Sequence, residues 1–135
     1  MSKLIIPFMI KLNKGIIINI GSIAGKEVYP KGNIYCASKY AVDAITQGMR
    51  LDLNDYNIKV SSVNPGLVET EFSLVRFKGD NDRAKKVYSG LKPLSAEDVA
   101  KSIIYIANTP SHVTIADIVL LPSHQANTYI NIKNK

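Results

Sequence analysis

The segment Gly15-Ile16-Ile17-Ile18-Asn19-Ile20-Gly21 constrains the fold more than any other part of the chain. A short β-branched run with no charge and no proline, closed by glycine at each end, is the pattern of a strand buried on both faces, and such strands belong inside parallel sheets. An edge strand would carry a charge, a proline or a bulge to block further pairing. The run therefore predicts a neighbour on each side, yet nothing upstream of it reads as a strand. Neighbouring strands are expected to be missing from this sequence.

What precedes the run reads as helix. Leu4, Ile5, Phe8, Met9 and Leu12 recur at helical spacing over residues 2–12, although Pro7 sits badly in the middle of a complete helix, so the segment reads as the tail of a longer one. After a Gly/Pro-rich connection, Ala37, Ala41, Ala44, Ile45, Met49 and Leu53 predict a long helix over 34–54. A second strand is expected over 58–63, stopped by Asn64-Pro65-Gly66. Residues 67–94 are polar, interrupted by Gly79 and Gly90, and longer than an ordinary connection, which predicts a substrate loop. Ser95-Ala96-Glu97-Asp98 starts a helix over 96–108, with Ser95 as its cap and the acidic pair at the positive end of the helix dipole. A third strand is predicted over 115–121, followed by an irregular tail at 122–135. Helix and strand alternating in this way define an α/β fold with right-handed crossovers, here a single partial domain spanning 1–135, because three strands make a small sheet.

Composition removes several function classes. The single Cys36 forbids an internal disulfide, and no Cys/His cluster has metal-ligand spacing. The apolar run Leu4–Ile10 is broken by Pro7, closed by Lys11 and lacks a small-residue cleavage site, so it does not read as a secretory signal. No apolar run approaches the roughly 20 residues that span a bilayer, and a cytoplasmic protein without a membrane partner is expected. The net charge of +6 comes from scattered lysines, and three arginines among 17 cations form no basic stripe interleaved with aromatics. A solvated lysine-rich surface is expected rather than a nucleic-acid partner, and an anionic small-molecule ligand is compatible with it.

Tyr35 and Lys39 stand at i and i+4, one helical turn apart on the same face. An ammonium held near a phenol stabilises the phenolate, which equips a tyrosine to give or take a proton. The spacing alone is weak, since Tyr88 with Lys92 and Tyr129 with Lys133 repeat it where no helix is expected. Context separates Tyr35: thirteen residues earlier Ser22 closes the buried strand, and the carboxyl ends of parallel strands are where open α/β sheets bind ligands. A hydroxyl there can donate to a carbonyl oxygen as charge develops on it. Cys36 has no charged partner to activate it and is assigned to core packing, while His112 and His124 read as surface or loop residues.

Three motifs in order, Asn19-Ile20-Gly21-Ser22-Ile23-Ala24-Gly25, then Tyr35-Cys36-Ala37-Ser38-Lys39, then Asn64-Pro65-Gly66-Leu67-Val68-Glu69-Thr70, resemble the consecutive signatures of the short-chain dehydrogenase/reductase family. The resemblance runs from Met1 to about Pro122 and implies the carboxyl-terminal part of a Rossmann-type doubly wound parallel sheet. It implies that Ser22 orients the substrate oxygen, that Tyr35 is the general acid/base, and that Lys39 both stabilises the phenolate and holds the nicotinamide ribose. Pro65, Gly66, Val68 and Thr70 match the segment that contacts the nicotinamide end and phosphates of the cofactor. Thr70 to Ser73, Val75 to Asp80, His112-Val113, Pro122 and Gln125 are similar to the branch acting on 3-hydroxy acids and serine-like substrates, usually with NADP, NAD remaining an alternative. On that resemblance Arg76 becomes a partner for a substrate carboxylate, which a guanidinium grips bidentately.

The chain departs from the family at its start. It has no glycine-rich turn for a pyrophosphate, none of the residues that choose NAD over NADP, and no asparagine to complete the serine, tyrosine and lysine set. Met1 matches a position well inside the family's fold, so roughly a hundred residues, one mononucleotide-binding half, are expected to be missing. A truncated sequence is the favoured explanation over a genuine short product or half of a split enzyme. The isolated chain is then expected to bind cofactor poorly and to turn nothing over. The alternative function is a non-catalytic oligomerising fragment that associates through helices 2–12 and 34–54, the surfaces through which the family forms dimers and tetramers.

Overall fold

The computed structural model describes residues 2–130. Helix α1 (Ser2–Leu12) leads into strand β1 (Gly15–Ile20) through Asn13, whose φ of 48° makes the tight reversal. Pro7 lies inside α1, where its ring removes one backbone donor from the ladder without ending the helix. A single 3-10 turn at Ile23–Gly25 follows β1, and helix α2 (Asn33–Asp52) comes next. A second 3-10 turn, Asn54–Tyr56, delivers the chain to strand β2 (Ile58–Pro65). Helix α5 (Ala96–Ala107) and strand β3 (Asp117–Leu120) close the fold.

The three strands form one parallel sheet in the order β1-β2-β3. Gly15 pairs with Ile58 and Ile20 with Val63, while Ser62 pairs with Asp117 and Pro65 with Leu120. This α/β arrangement is the expected one; α2 and α5 differ from their expected bounds by one or two residues, and β2 and β3 differ as well. Strand β2 continues through Asn64 and Pro65, because Pro65 sits at the strand's end, where no ladder donor is required of it. Strand β3 is shorter than 115–121. Strand β2 is buried almost throughout, with Val60 and Val63 fully enclosed, whereas β1 is only half-buried and its other edge has no partner among the described residues.

Leu53, Ile58 and Val60 form one cluster of the core, and Ile6, Met9 and Ile10 of α1 pack on it with Ile17 and Met49. The apolar stripe of α1 therefore has two faces. Ile6, Met9 and Ile10 cover the sheet, while Leu4, Phe8 and Leu12 stay exposed, as do Ile34, Ile45 and Leu51 of α2.

Residues 67–94 contain two helices the sequence does not announce, α3 (Phe72–Arg76) and α4 (Asn81–Tyr88). Asp80 caps α4 by accepting from the Arg83 N–H at 3.0 Å, the Asx type of cap that competes locally with loop structure. The ends of the segment are tied together: Glu69 N–H donates to the Leu94 carbonyl at 2.8 Å and Leu94 N–H to the Leu67 carbonyl at 2.9 Å. The excursion leaves and rejoins the sheet at one place, over the carboxyl ends of β1 and β2. No helix among the described residues is long and apolar enough to cross a membrane.

Candidate active site

At the carboxyl ends of the strands lies a cavity of about 630 Å³, within the size range of small-molecule sites. The first wall is the turn after β1. Ser22 is buried and caps the 3-10 turn, its Oγ accepting from Ala24 N–H at 3.1 Å and donating to the Pro65 carbonyl at 3.5 Å. A second wall is the first turn of α2, where Tyr35 lies half-buried against Phe72, ring centres 5.6 Å apart and tilted by 46°. Pro65, Gly66, Val68 and Thr70 line the floor, and Arg76 of α3 reaches in from the side.

Ser22, Tyr35, Pro65, Gly66, Val68, Thr70 and Arg76 thus all line one cavity, although they are spread over 55 positions of sequence. Lys39 stands behind Tyr35 and outside the lining. Its Nζ is 5.8 Å from the centre of the Tyr35 ring and donates to the Ile20 carbonyl at 3.3 Å. Burial pushes the Lys39 ammonium below the usual lysine range, since desolvation disfavours the charged form. The Arg76 guanidinium lies 5.6 Å from the Tyr29 ring and 6.0 Å from the Tyr35 ring, a stacked placement that holds the cation without neutralising it. Among the described residues Arg76 and Lys86 line the cavity and no carboxylate does, so the space favours an anion.

Of the rival tyrosine–lysine pairs, Tyr88 also lines the cavity, but its Lys92 lies beyond the end of α4. Tyr88 ends α4 and its hydroxyl is used by Ser73 at 2.7 Å and the Val68 carbonyl at 2.9 Å. Lys133 lies outside the described residues. Cys36 is fully buried, and both histidines are exposed, away from the cavity lining.

The sequence undervalues the tail. Residues 122–130 strap the site: the Gln125 carboxamide accepts from Leu67 N–H at 2.8 Å and donates to the Asn127 carbonyl at 3.0 Å. Thr128 donates to Glu27 and to the Val28 carbonyl. Both Gln125 and Thr128 line the cavity. A Cβ on residue 66 would run into Gln125 and Leu121, so the glycine there lets these side chains pack directly on the backbone after β2. A small anionic ligand fits the cavity.

Comparison with known proteins agrees with this geometry. A family model described as short chain dehydrogenase matches residues 1–80. The chain is 44% identical over 125 residues to the NADP-dependent 3-hydroxy acid dehydrogenase of Schizosaccharomyces pombe, covering 93% of this chain and 48% of that protein. It is 39% identical over 133 residues to the NADP-dependent 3-hydroxy acid dehydrogenase YdfG of Escherichia coli, covering 98% of this chain and 54% of that one. The closed form of a serine dehydrogenase complexed with NADP+ superposes with a TM-score of 0.92 at 38% identity, over 100% of this chain and 55% of that structure. The chain spans about half the length of the curated relatives it matches. With the three motifs converging on one cavity of a parallel α/β sheet, this chain belongs to the short-chain dehydrogenase family.

Proposed function

We propose that this chain carries the catalytic half of an NADP(H)-dependent oxidoreductase, with NAD(H) as the alternative cofactor, acting on the hydroxyl or carbonyl carbon of a small 3-hydroxy acid or serine-like substrate. The observation that carries the reading is the shared cavity: Ser22, Tyr35 and Arg76 face one space whose lining, among the described residues, has two cations and no carboxylate. The names of the relatives support the cofactor and substrate class. When bound, the nicotinamide supplies or accepts the hydride.

The chain's own residues do the rest. The Arg76 guanidinium binds the substrate carboxylate and sets its distance from Tyr35. Ser22 Oγ turns its proton from the Pro65 carbonyl to the substrate oxygen as charge grows there. Tyr35 Oη gives that oxygen its proton in reduction and takes it in oxidation. The Lys39 ammonium behind the ring stabilises the phenolate and, with Tyr35, holds the ribose, while the backbone of Pro65, Gly66, Val68 and Thr70 supports the cofactor. Residues 67–94 act as the substrate loop.

Two further parts belong to this reading. The reaction is placed in the cytoplasm. Assembly into a homodimer or homotetramer uses α1 and α2, supported by the exposed Leu4, Phe8, Leu12, Ile34, Ile45 and Leu51. A non-catalytic oligomer or half of a split enzyme is the outcome if association occurs without cofactor binding.

Turnover is measured by NADPH oxidation with 3-oxo acids, for the chain itself and for the chain preceded by the amino-terminal half of the E. coli relative. The fused chain should turn over and the 135-residue chain should not. Tyr35→Phe should lower kcat of the fused chain by about 100-fold or more with its melting temperature unchanged. Turnover that survives this substitution would sink the assignment.

A further inference from the structure

Asn64, 1% exposed near the end of β2, has a carboxamide whose every polar contact leads toward the site or its support. Its Oδ1 accepts the backbone N–H of Ser22 at 3.2 Å. Its Nδ2 donates to Ser62 Oγ at 3.1 Å and to Asp117 Oδ1. Ser62 Oγ donates to the same carboxylate oxygen at 2.8 Å. The other oxygen of Asp117 meets Lys26 Nζ at 2.7 Å, and Lys26 also pairs with Asp43 of α2 at 2.7 Å. A continuous polar chain thus joins Ser22 to the helix that carries Tyr35 and Lys39.

The chemistry fixes the direction of this chain. A flipped carboxamide would set Nδ2 against the Ser22 N–H and Oδ1 against a carboxylate, two repulsive contacts, so Asp117 determines which end of Asn64 faces Ser22. The same carboxamide lies flat on the backbone just before Ser22: a Cβ on Gly21 would collide with Asn64 Oδ1. Neither a shorter hydroxyl nor an apolar side chain can accept from an N–H on one side while donating to a carboxylate on the other.

We propose that Asn64, oriented by Asp117 and Lys26, is the positioning residue that fixes the backbone of Ser22. The inference rests on the reading of Ser22 as the group that meets the substrate oxygen. Holding the Ser22 N–H sets where its Oγ stands, and a displacement of about 1 Å at a reacting group can cost about 100-fold in rate.

The test combines amide hydrogen exchange on the 135-residue chain with turnover in the fused chain. In Asn64→Ala the Ser22 amide should exchange about 10-fold faster while Val60 and Val63 of β2 keep their protection. The double variant Asn64→Asp with Asp117→Asn keeps an acceptor at position 64 for the Ser22 N–H and reverses the 64–117 hydrogen bond by placing the donor at position 117, and should restore Ser22 protection. Asn64→Ala should lower kcat about 10- to 100-fold with the NADPH KM within about 2-fold, and the double variant should recover most of the loss. Unchanged Ser22 protection in Asn64→Ala, or protection lost equally at Val60 and Val63, overturns the proposal. Should Asn64→Ala not fold, a folded double variant with an unprotected Ser22 overturns it as well. Absence of turnover in the unsubstituted fused chain would instead count against the dehydrogenase reading, and the exchange result would still decide the role of Asn64.

Discussion

Lys39 Nζ stands 5.8 Å from the centre of the Tyr35 ring while donating to the Ile20 carbonyl at 3.3 Å, so one ammonium joins α2 to the end of β1 beside the phenol. Burial pulls this lysine below its ordinary value of 10.5. A lysine whose folded value is depressed costs stability wherever it is charged in both states, and the cost is relieved as pH rises through the folded value toward 10.5. Lys39→Met should therefore stabilise the chain at pH 7, by under about 1 kcal/mol because much of the side chain still meets water, with the advantage shrinking as pH approaches 10.5. The same substitution should lower turnover of the fused chain by about 100-fold or more. Urea unfolding at pH 7 and pH 10 checks the first part; a variant less stable than the parent at pH 7 would contradict it.

Gly25 brings the Ser22 turn against α2. A Cβ there would lie 2.7 Å from the Lys39 carbonyl oxygen and 2.9 Å from its carbon, both backbone atoms that cannot swing aside. Gly25→Ala should destabilise by about 1–3 kcal/mol and separate Ser22 from Tyr35, lowering kcat along with the urea midpoint. A variant with an unchanged midpoint would show that the two elements have room to part.

The readable part of this molecule was what local pattern controls. The Ile16–Ile20 run, the long helix from Asn33 and the cap at Ser95 each follow from periodicity and capping, and the Ser95–Asp98 capping box forms as its spacing implies. The convergence of Ser22, Tyr35 and the Pro65–Thr70 segment was legible because the motifs end strands or begin a helix at one end of a parallel sheet. Two features were not. Helices α3 and α4 are five and eight residues long, too short for an apolar stripe to reveal them. Gln125 and Asn64 act through contacts 58 and 42 positions away, and a side-chain amide in a polar tail or at the end of a strand carries no local sign of its partner.

Lys26 and Asp117 give the chain a defined pH window. Burial pushes the Asp117 carboxyl upward, but the hydrogen bonds from Lys26, Ser62 and Asn64 outweigh it and hold the group below its ordinary 3.8. Burial likewise pushes Lys26 down, and Asp117 with Asp43 more than offsets it, raising the ammonium above 10.5. A depressed carboxylate contributes stability above its unfolded value that is lost as pH falls through the folded one; a raised lysine contributes below its unfolded value and loses it as pH rises through the folded one. The contribution is therefore flat between about 3.8 and 10.5 and falls away on both sides. Lys26→Met should cost about 1 kcal/mol at pH 7, discounted for partial exposure, and its difference from the parent should narrow at pH 2–3. A difference that persists undiminished in acid would mean the side chain acts by packing.

Gln125 is 5% exposed and is the acceptor for Leu67 N–H, the first donor after the Pro65–Gly66 pair. Gln125→Ala would strand that donor beneath the cavity, at a cost of about 1–3 kcal/mol, and free the Gly66–Leu67 peptide to rotate. Gln125→Glu keeps the accepting oxygen and, as the protonated acid that burial favours, can still donate to the Asn127 carbonyl, so it should retain more of the parent's stability. If the Pro65–Thr70 segment supports the cofactor, the alanine variant should raise the NADPH KM of the fused chain several-fold, and the glutamate variant should raise it less. Urea midpoints rank the two variants independently of activity. Should alanine and glutamate prove equally damaging, the accepting oxygen on Leu67 is not what the tail contributes, and the strap would owe its hold to Thr128 and its contacts with Glu27 and Val28.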